Sequence, residues 1–118
     1  MLQVNCHEHV EAYFATTKLD AVYVPLPFRA RADELTHMIS DSNPRVLISG
    51  QRYVNLVDSL VNVSDKLQHK VVLEEPSDGW HFYDDLIKSN KSDEIFPADD
   101  GSDLTMIMFT AGTTGAAK

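Results

Sequence analysis

The sequence predicts an α/β fold in which a mostly parallel sheet is covered by helices on both faces. Short apolar runs alternate with segments whose apolar residues recur at helical spacing, a pattern typical of parallel strands joined by helices. With 118 residues, 43% of them hydrophobic, the chain is long enough for one domain with its own core. The last apolar run leads into a loop rich in Gly and Thr, and ligands of such sheets bind beyond the carboxyl ends of strands.

The first predicted elements are a strand end and a helix. Leu2–Val4 is apolar enough to end a strand, and Asn5 is expected to cap the helix that follows, in a capping box with Glu8. The helical spacing predicts that one face of this helix points inward, made of Val10, Tyr13, Phe14 and Thr17.

The next elements are a strand, a second helix and another strand. Residues 21–24 form a short apolar run that ends at Pro25. A helix is predicted over residues 32–41 and is stopped by Asn43-Pro44. Its inward residues are expected to be Leu35, Met38 and Ile39. Residues 46–48 then read as a buried strand.

The second half of the chain continues the alternation. A third helix is indicated by Tyr53, Val57, Leu60 and Val61. The pattern predicts a strand over residues 70–73, a turn over residues 76–79 and a short helix over residues 80–88. Residues 89–103 are polar and acidic, which favours a surface connection, and residues 104–109 predict a last buried strand.

Charge and cysteine content exclude several classes of protein. The net charge of −8 makes nucleic acid an unsuitable partner, since the phosphate backbone attracts basic proteins. The single cysteine, Cys6, permits no internal disulfide and indicates a reducing, cytoplasmic location. The sequence contains neither a signal peptide pattern nor an apolar run long enough to span a membrane, so we expect no transmembrane segment.

The loop from Thr110 to Lys118 has the residue types of a phosphate cradle. Glycines allow a tight turn and a close approach to an anion, hydroxyls add donors and lysine adds charge. A Walker A loop requires Gly and Lys to be adjacent, but Gly115 and Lys118 are separated by two residues. The Gly-x-Gly-x-x-Gly dinucleotide pattern does not occur either.

This loop resembles the signature of the adenylate-forming superfamily, which includes acyl-CoA synthetases, luciferases and the adenylation domains of peptide synthetases. The matching residues are Phe109, Thr110, Gly112, Thr113, Thr114, Gly115 and Lys118. Ala111 replaces the usual Ser or Gly and removes one hydroxyl. Ala117 replaces the usual Pro, so we expect a more flexible loop before Lys118.

The resemblance extends over nearly the whole chain and is weakest between residues 62 and 103. Residues 6–15 and 18–26 are similar to the first helix and the next strand of the superfamily's large domain, and residues 31–35 and 41–48 continue it. Asp20 stands where the family commonly has Gly, so we expect a left-handed backbone there, which Asp tolerates better than most residues.

The resemblance implies a partial doubly wound, mostly parallel sheet, a fragment of the family's large N-terminal domain over residues 1–118, with the phosphate loop at 109–118. The family's C-terminal domain and the remainder of its polypeptide are absent from this sequence. The family activates a carboxylic acid with ATP and Mg²⁺ to an acyl-adenylate and transfers the acyl group to CoA. The resemblance implies that the ATP phosphates contact Thr110, Ala111, Gly112, Thr113, Thr114, Gly115 and Lys118.

We expect the fragment alone to be inactive. Two alternatives stay open: a free-standing flavodoxin-like nucleotide-binding or regulatory module, and an inactive truncated product.

Four other groups contain residue types found in functional sites, but structural roles are favoured for all four. Cys6, His7, Glu8 and His9 suggest a metal site, but the two histidines face different sides of a helix, so solvated helix-start residues are favoured. Surface or capping roles are favoured for Arg29, Arg31 and Arg45. Anchoring of a short helix, not a pocket, is favoured for Trp80, Phe82 and Tyr83. A solvated face, not a cation site, is favoured for Asp84, Asp85, Asp99, Asp100 and Asp103.

Overall fold

The structure, a computed structural model, describes residues 1–91 and 104–110, except for the side chain of Val61. The α-helices of these residues are α1 (His7–Lys18), α2 (Ala32–Ser42), α3 (Val54–Ser59) and α4 (Tyr83–Ser89). The strands are β1 (Val46–Ser49), β2 (His69–Val72) and β3 (His81–Phe82). Two short 3-10 turns, Gln51–Tyr53 and Val61–Val63, flank α3.

The sheet is parallel and extends beyond β1, β2 and β3. These three strands lie side by side in that order. Leu2 forms parallel bridges with Ser49 on one side and Leu26 on the other, and Tyr23 forms a parallel bridge with Met106. The order across the sheet is therefore residues 104–109 (the Met106 segment), residues 23–26, residues 1–3 (the Leu2 segment), β1, β2 and β3.

The winding direction reverses at the Leu2 segment, because the chain steps from it to residues 23–26 on one side and later to β1 on the other. Side chains alternate between the two faces of the sheet. On the face covered by α2 and α3 lies the larger core cluster, made of Leu2, Leu26, Leu35, Met38, Ile39, Leu47, Tyr53, Val54, Val57, Val72 and Trp80. On the face covered by α1 lies the smaller core cluster, made of Met1, Ala12, Tyr23 and Leu73. The predicted doubly wound fold with helices on both faces is confirmed.

The predicted inward face of helix α1 is wrong at Val10 and Phe14, whereas Tyr13 packs against the smaller core cluster as expected. Ala12 is buried in the smaller core cluster, whereas Val10 and Phe14 are 57% and 58% exposed. A small residue at the contact lets the helix lie close to the sheet, and Tyr23 belongs to the same cluster. The predicted cap is also wrong, since Cys6 precedes the first helical residue and makes no side-chain cap bond.

The backbone turns around α1 and α2 agree with the prediction. Leu35, Met38 and Ile39 of α2 are buried as expected. Helix α2 ends at Asn43, which has a left-handed backbone with φ of 42°. Asp20 is left-handed too, with φ of 51°, as the family's Gly at this site implied.

The predicted helix over residues 80–88 begins later than expected. His81 and Phe82 form β3, which pairs with Val71 and Val72, and α4 starts only at Tyr83. Trp80 is buried in the larger core cluster and holds the start of this strand in place. Within the described residues, no helix is both long and apolar enough to cross a membrane.

Candidate phosphate-binding site

The strand that leads towards the Gly/Thr loop is held by Tyr23. The backbone N–H of Tyr23 donates to the carbonyl of Thr105 at 2.9 Å, and the N–H of Ile107 donates to the carbonyl of Tyr23 at 3.0 Å. Met106 packs against the smaller core cluster and Phe109 against the larger one. The prediction of a buried strand is wrong at Leu104 and Met108, which are 59% and 66% exposed.

Thr110 is the first loop residue and lies at the carboxyl edge of the sheet, because it follows a segment parallel to its neighbours. It is exposed to solvent. The remaining predicted contact residues lie outside the described residues: Ala111, Gly112, Thr113, Thr114, Gly115 and Lys118. Their role in phosphate binding stays a prediction.

A polar network around the buried Gln3 occupies the same edge of the sheet, where the Leu2 segment, β1 and β2 end. Gln3 is only 4% exposed. Its Nε2 donates to Glu74 Oε1 at 3.0 Å, and its Oε1 accepts the N–H of Val4 at 2.8 Å. Glu74 Oε2 accepts the N–H of Gln51 at 2.8 Å, and Gln51 Nε2 bonds to Ser77 Oγ at 3.0 Å.

This network lies at the switch point of the sheet, because the Leu2 segment continues into α1 on one face and the adjacent β1 continues into α3 on the other. Ligands of open α/β sheets bind at such a point. Sequence analysis missed the network. A glutamine inside the apolar run Leu2–Val4 was the available signal, since a buried amide needs partners.

Replacing Gly50 with Ala is expected to destabilise the protein by about 1–3 kcal/mol through overpacking. A Cβ at this position would lie 2.4 Å from Gln3 Nε2 and 2.5 Å from Gln3 Oε1. Gln3 is held at both ends of its amide, so it moves only by losing a bond. Chemical denaturation of the 118-residue chain measures the effect.

The control for this prediction is the Gln3→Ala background. Gly50 has φ of −67° and ψ of 151°, a conformation that any residue adopts, so Ala is not strained there. We therefore expect Gly50→Ala to cost much less when residue 3 is already Ala. Equal costs in both backgrounds would show that the amide of Gln3 is not the obstacle.

The two histidines of the Cys6–His9 group have different surroundings. His7 is exposed and lies 3.5 Å from Glu8 and 3.7 Å from Glu11. His9 is half-buried and bonded on both ring nitrogens, so the interpretation of solvated residues is wrong for His9. Burial raises the pKa of the Cys6 thiol, with a further contribution from Glu8. A raised pKa keeps the thiol protonated, which does not suit a nucleophile.

The arginines have surface and capping roles. The guanidinium of Arg29 lies 5.1 Å from the centre of the Phe28 ring. The N–H of Arg31 donates to Glu34 Oε2 at 2.8 Å, which closes the first turn of α2. Arg45 is exposed, and its carbonyl accepts the N–H of Gln68 at 2.9 Å.

The aromatic residues near α4 are anchors, and one of them also lines a groove. Trp80 Nε1 donates to the Asp58 carboxylate at 3.1 and 3.3 Å. Lys70 Nζ bonds the same carboxylate at 2.5 Å and lies 4.9 Å from the Trp80 ring centre. Phe82 packs against the larger core cluster. Tyr83 donates to Glu11 Oε2 at 2.5 Å and lines an apolar groove of about 490 Å³ beside α4.

The acidic residues do not gather into a cation site in the part of the chain that the structure describes. Asp84 lies 3.9 Å from Lys88, and Asp85 is exposed in the first turn of α4. Asp99, Asp100 and Asp103 lie outside the described residues. Within residues 1–91 and 104–110, no group of three His, Cys, Asp or Glu side chains is placed to hold a metal ion.

The fold and the edge described above define a doubly wound α/β domain of the class that binds ligands at the carboxyl ends of its strands. The model of one family, described as AMP-binding enzyme, matches residues 1–118. The chain belongs to the AMP-binding enzyme family.

Known relatives are much longer than this chain. It is 26% identical to 4-hydroxybutyrate–CoA ligase 2 of Metallosphaera sedula, over 97% of this chain and 22% of the relative. It is 30% identical to the long-chain-fatty-acid–CoA ligase FadD13 of Mycobacterium tuberculosis, over 100% of this chain and 23% of the relative. Its structure is similar to that of an anthranilate CoA ligase, AuaEII, in complex with anthranoyl-AMP, with a TM-score of 0.91 and 26% identity over 98% of this chain and 23% of that one.

Proposed function

We propose that this chain is part of the large N-terminal domain of a ligase that activates a carboxylic acid with ATP and transfers the acyl group to CoA. The acid is of the fatty or a related class. The proposal is supported by the family and by relatives named as CoA ligases. The chain spans only 22–23% of those relatives, so the activity is assigned to the protein that contains the chain.

The observation that carries the proposal is the parallel bridge between Tyr23 and Met106. This bridge orients the Met106 segment so that the residues after it begin at the carboxyl edge of the sheet. A loop of Gly, Thr and Lys starting at that edge is suited to an anionic ligand, because its N–H, hydroxyl and ammonium groups are all donors.

The proposed reaction has two steps. In the first, a carboxylate oxygen of the acid attacks the α-phosphorus of ATP, the bond to the bridging oxygen breaks, and pyrophosphate leaves. In the second, the thiolate of CoA attacks the acyl carbon and AMP leaves. The role of Thr110–Lys118 belongs to the first step: its donors hold the β- and γ-phosphates and stabilise the negative charge that develops on the leaving group.

ATP-dependent enzymes of this kind use Mg²⁺ to neutralise phosphate charge. The described residues offer no group of three ligands for it, so we assign no Mg²⁺ ligand to this chain. The proposal depends only on the donors of the loop.

A second candidate function is a free-standing nucleotide-binding module. It is favoured by one observation: residues 23–26, the Leu2 segment, β1, β2 and β3 follow the order 2-1-3-4-5 of flavodoxin-like sheets. Such a module would bind a nucleotide without activating an acid.

The experiment is ATP–pyrophosphate exchange, measured on the whole protein with a panel of aliphatic, hydroxylated and aromatic acids. We expect exchange that depends on one class of acid, followed by thioester formation when CoA is added. The isolated 118-residue chain, tested in parallel, is expected to give no exchange, since it holds about a quarter or less of a relative's length. Nucleotide binding by the whole protein, without exchange for any acid, would favour the second candidate.

A further inference from the structure

Tyr23 joins the strand that precedes the phosphate loop to the body of the domain. Its backbone makes two bonds to the Met106 segment, through Thr105 and Ile107. Its side chain is only 6% exposed and lies in the smaller core cluster, where its ring meets that of Tyr13 edge to face at 6.0 Å. One residue thus holds the Met106 segment by its main chain and contacts α1 by its side chain.

The hydroxyl of Tyr23 continues into a hydrogen-bonded chain through His9. Tyr23 Oη lies 2.5 Å from His9 Nδ1, and His9 Nε2 lies 3.1 Å from the carbonyl oxygen of Gln3. A carbonyl only accepts, so Nε2 carries the proton; in the neutral imidazole Nδ1 then accepts from the Tyr23 hydroxyl. Both hydrogen bonds run in the same direction, from Tyr23 to His9 and from His9 to Gln3, an arrangement in which each bond strengthens the next.

This series of hydrogen bonds connects three elements of the fold. It runs from residues 23–26 through α1 to the Leu2 segment, and it ends beside the polar network in which Gln3 bonds Glu74. Burial raises the pKa of Tyr23 to about 12, so its hydroxyl stays a donor throughout the physiological range. Because the main chain of Tyr23 bonds the Met106 segment, we expect a shift of its ring to displace that segment.

We propose that Tyr23 and His9 are positioning residues for adenylation, which fix the segment that carries the phosphate loop relative to the rest of the sheet. This inference rests on the proposed function. Neither residue touches the substrate; they act through the two backbone bonds between Tyr23 and the Met106 segment. Displacement of a substrate-holding group by about 1 Å lowers rates by up to about a hundredfold, so a partial loosening corresponds to about tenfold.

The test is Tyr23→Phe in the whole protein, with Tyr13→Phe as the matched control. Tyr23 belongs to the smaller core cluster and Tyr13 packs against it, so each variant removes one hydroxyl from the same region, but only that of Tyr23 is bonded to His9. For Tyr23→Phe we expect adenylation to fall by about tenfold, with a raised KM for ATP, while thioester formation from supplied acyl-adenylate changes less than twofold. Tyr13→Phe should leave both half-reactions near wild type. Equal adenylation by the two variants overturns the inference.

A second readout does not depend on activity. Amide hydrogen exchange of the peptide covering residues 104–109 should be faster in Tyr23→Phe than in wild type, because the N–H of Ile107 is bonded to Tyr23. Unchanged exchange overturns the inference. If the wild type itself activates no acid, the proposed function fails, and this readout still decides on the positioning role. If Tyr23→Phe folds poorly, His9→Gln is measured in the same two ways, with the same expected and contradicting results.

Discussion

Replacing Gly112 or Gly115 with Val in the whole protein is expected to reduce adenylation more than replacing Lys118 with Ala. A branched side chain forbids the backbone angles that glycine allows and blocks the approach of a phosphate to the main chain. Lys118→Ala removes one ammonium and leaves the backbone cradle, so we expect a smaller loss, about ten- to a thousandfold, comparable to losing one transition-state donor. ATP–pyrophosphate exchange at saturating acid measures both effects.

The control for these variants is the second half-reaction. Thioester formation from a supplied acyl-adenylate involves no triphosphate, so both variants should perform it at close to the wild-type rate. The assignment of the loop to the phosphates is wrong if Gly112→Val and Lys118→Ala leave adenylation intact, or if they slow both half-reactions equally.

The largest expected effect on stability comes from Leu35→Ala. Leu35 is 0% exposed at the centre of the larger core cluster, and truncating such a leucine removes buried surface and leaves a cavity. Changes of this kind cost about 2–5 kcal/mol, which is a large part of the stability of a small domain. Thermal unfolding of the 118-residue chain, followed by circular dichroism, should show a strongly lowered midpoint.

Phe14→Ala is the matched variant, because the sequence pattern placed Phe14 inside while the structure leaves it 58% exposed. Surface substitutions change stability by about 0.5 kcal/mol or less, so its midpoint should stay close to wild type. A cost for Phe14→Ala as large as that for Leu35→Ala would mean that α1 turns the predicted face towards the sheet.

Elements with strong local signals were predicted well from the sequence. Helix α2 has an acidic first turn, three apolar residues at helical spacing and a stop at Asn43, and all of these are present in the structure. The rotation of α1 was not predictable from spacing, since Val10 and Phe14 are more apolar than Ala12, yet Ala12 faces the sheet. Close packing of a helix against a sheet selects the small residue at the contact.

The candidate site was predicted in one part and missed in another. The phosphate loop could be proposed because its Gly, Thr and Lys lie close together in the sequence, and its role stays a prediction. The network of Gln3, Gln51, Glu74 and Ser77 was missed because its members come from segments far apart in the chain. The same holds for the pair of His9 and Tyr23.

The sequence by itself determined the α/β class, the ends of α2 and the resemblance to the adenylate-forming superfamily, because periodicity, turn residues and a contiguous motif are local properties. The tertiary structure decided the order of strands, the face that α1 buries and the partners of Gln3, His9 and Tyr23. These depend on which distant segments become neighbours in the sheet, and that is set by the packing of the whole chain rather than by any one stretch of it.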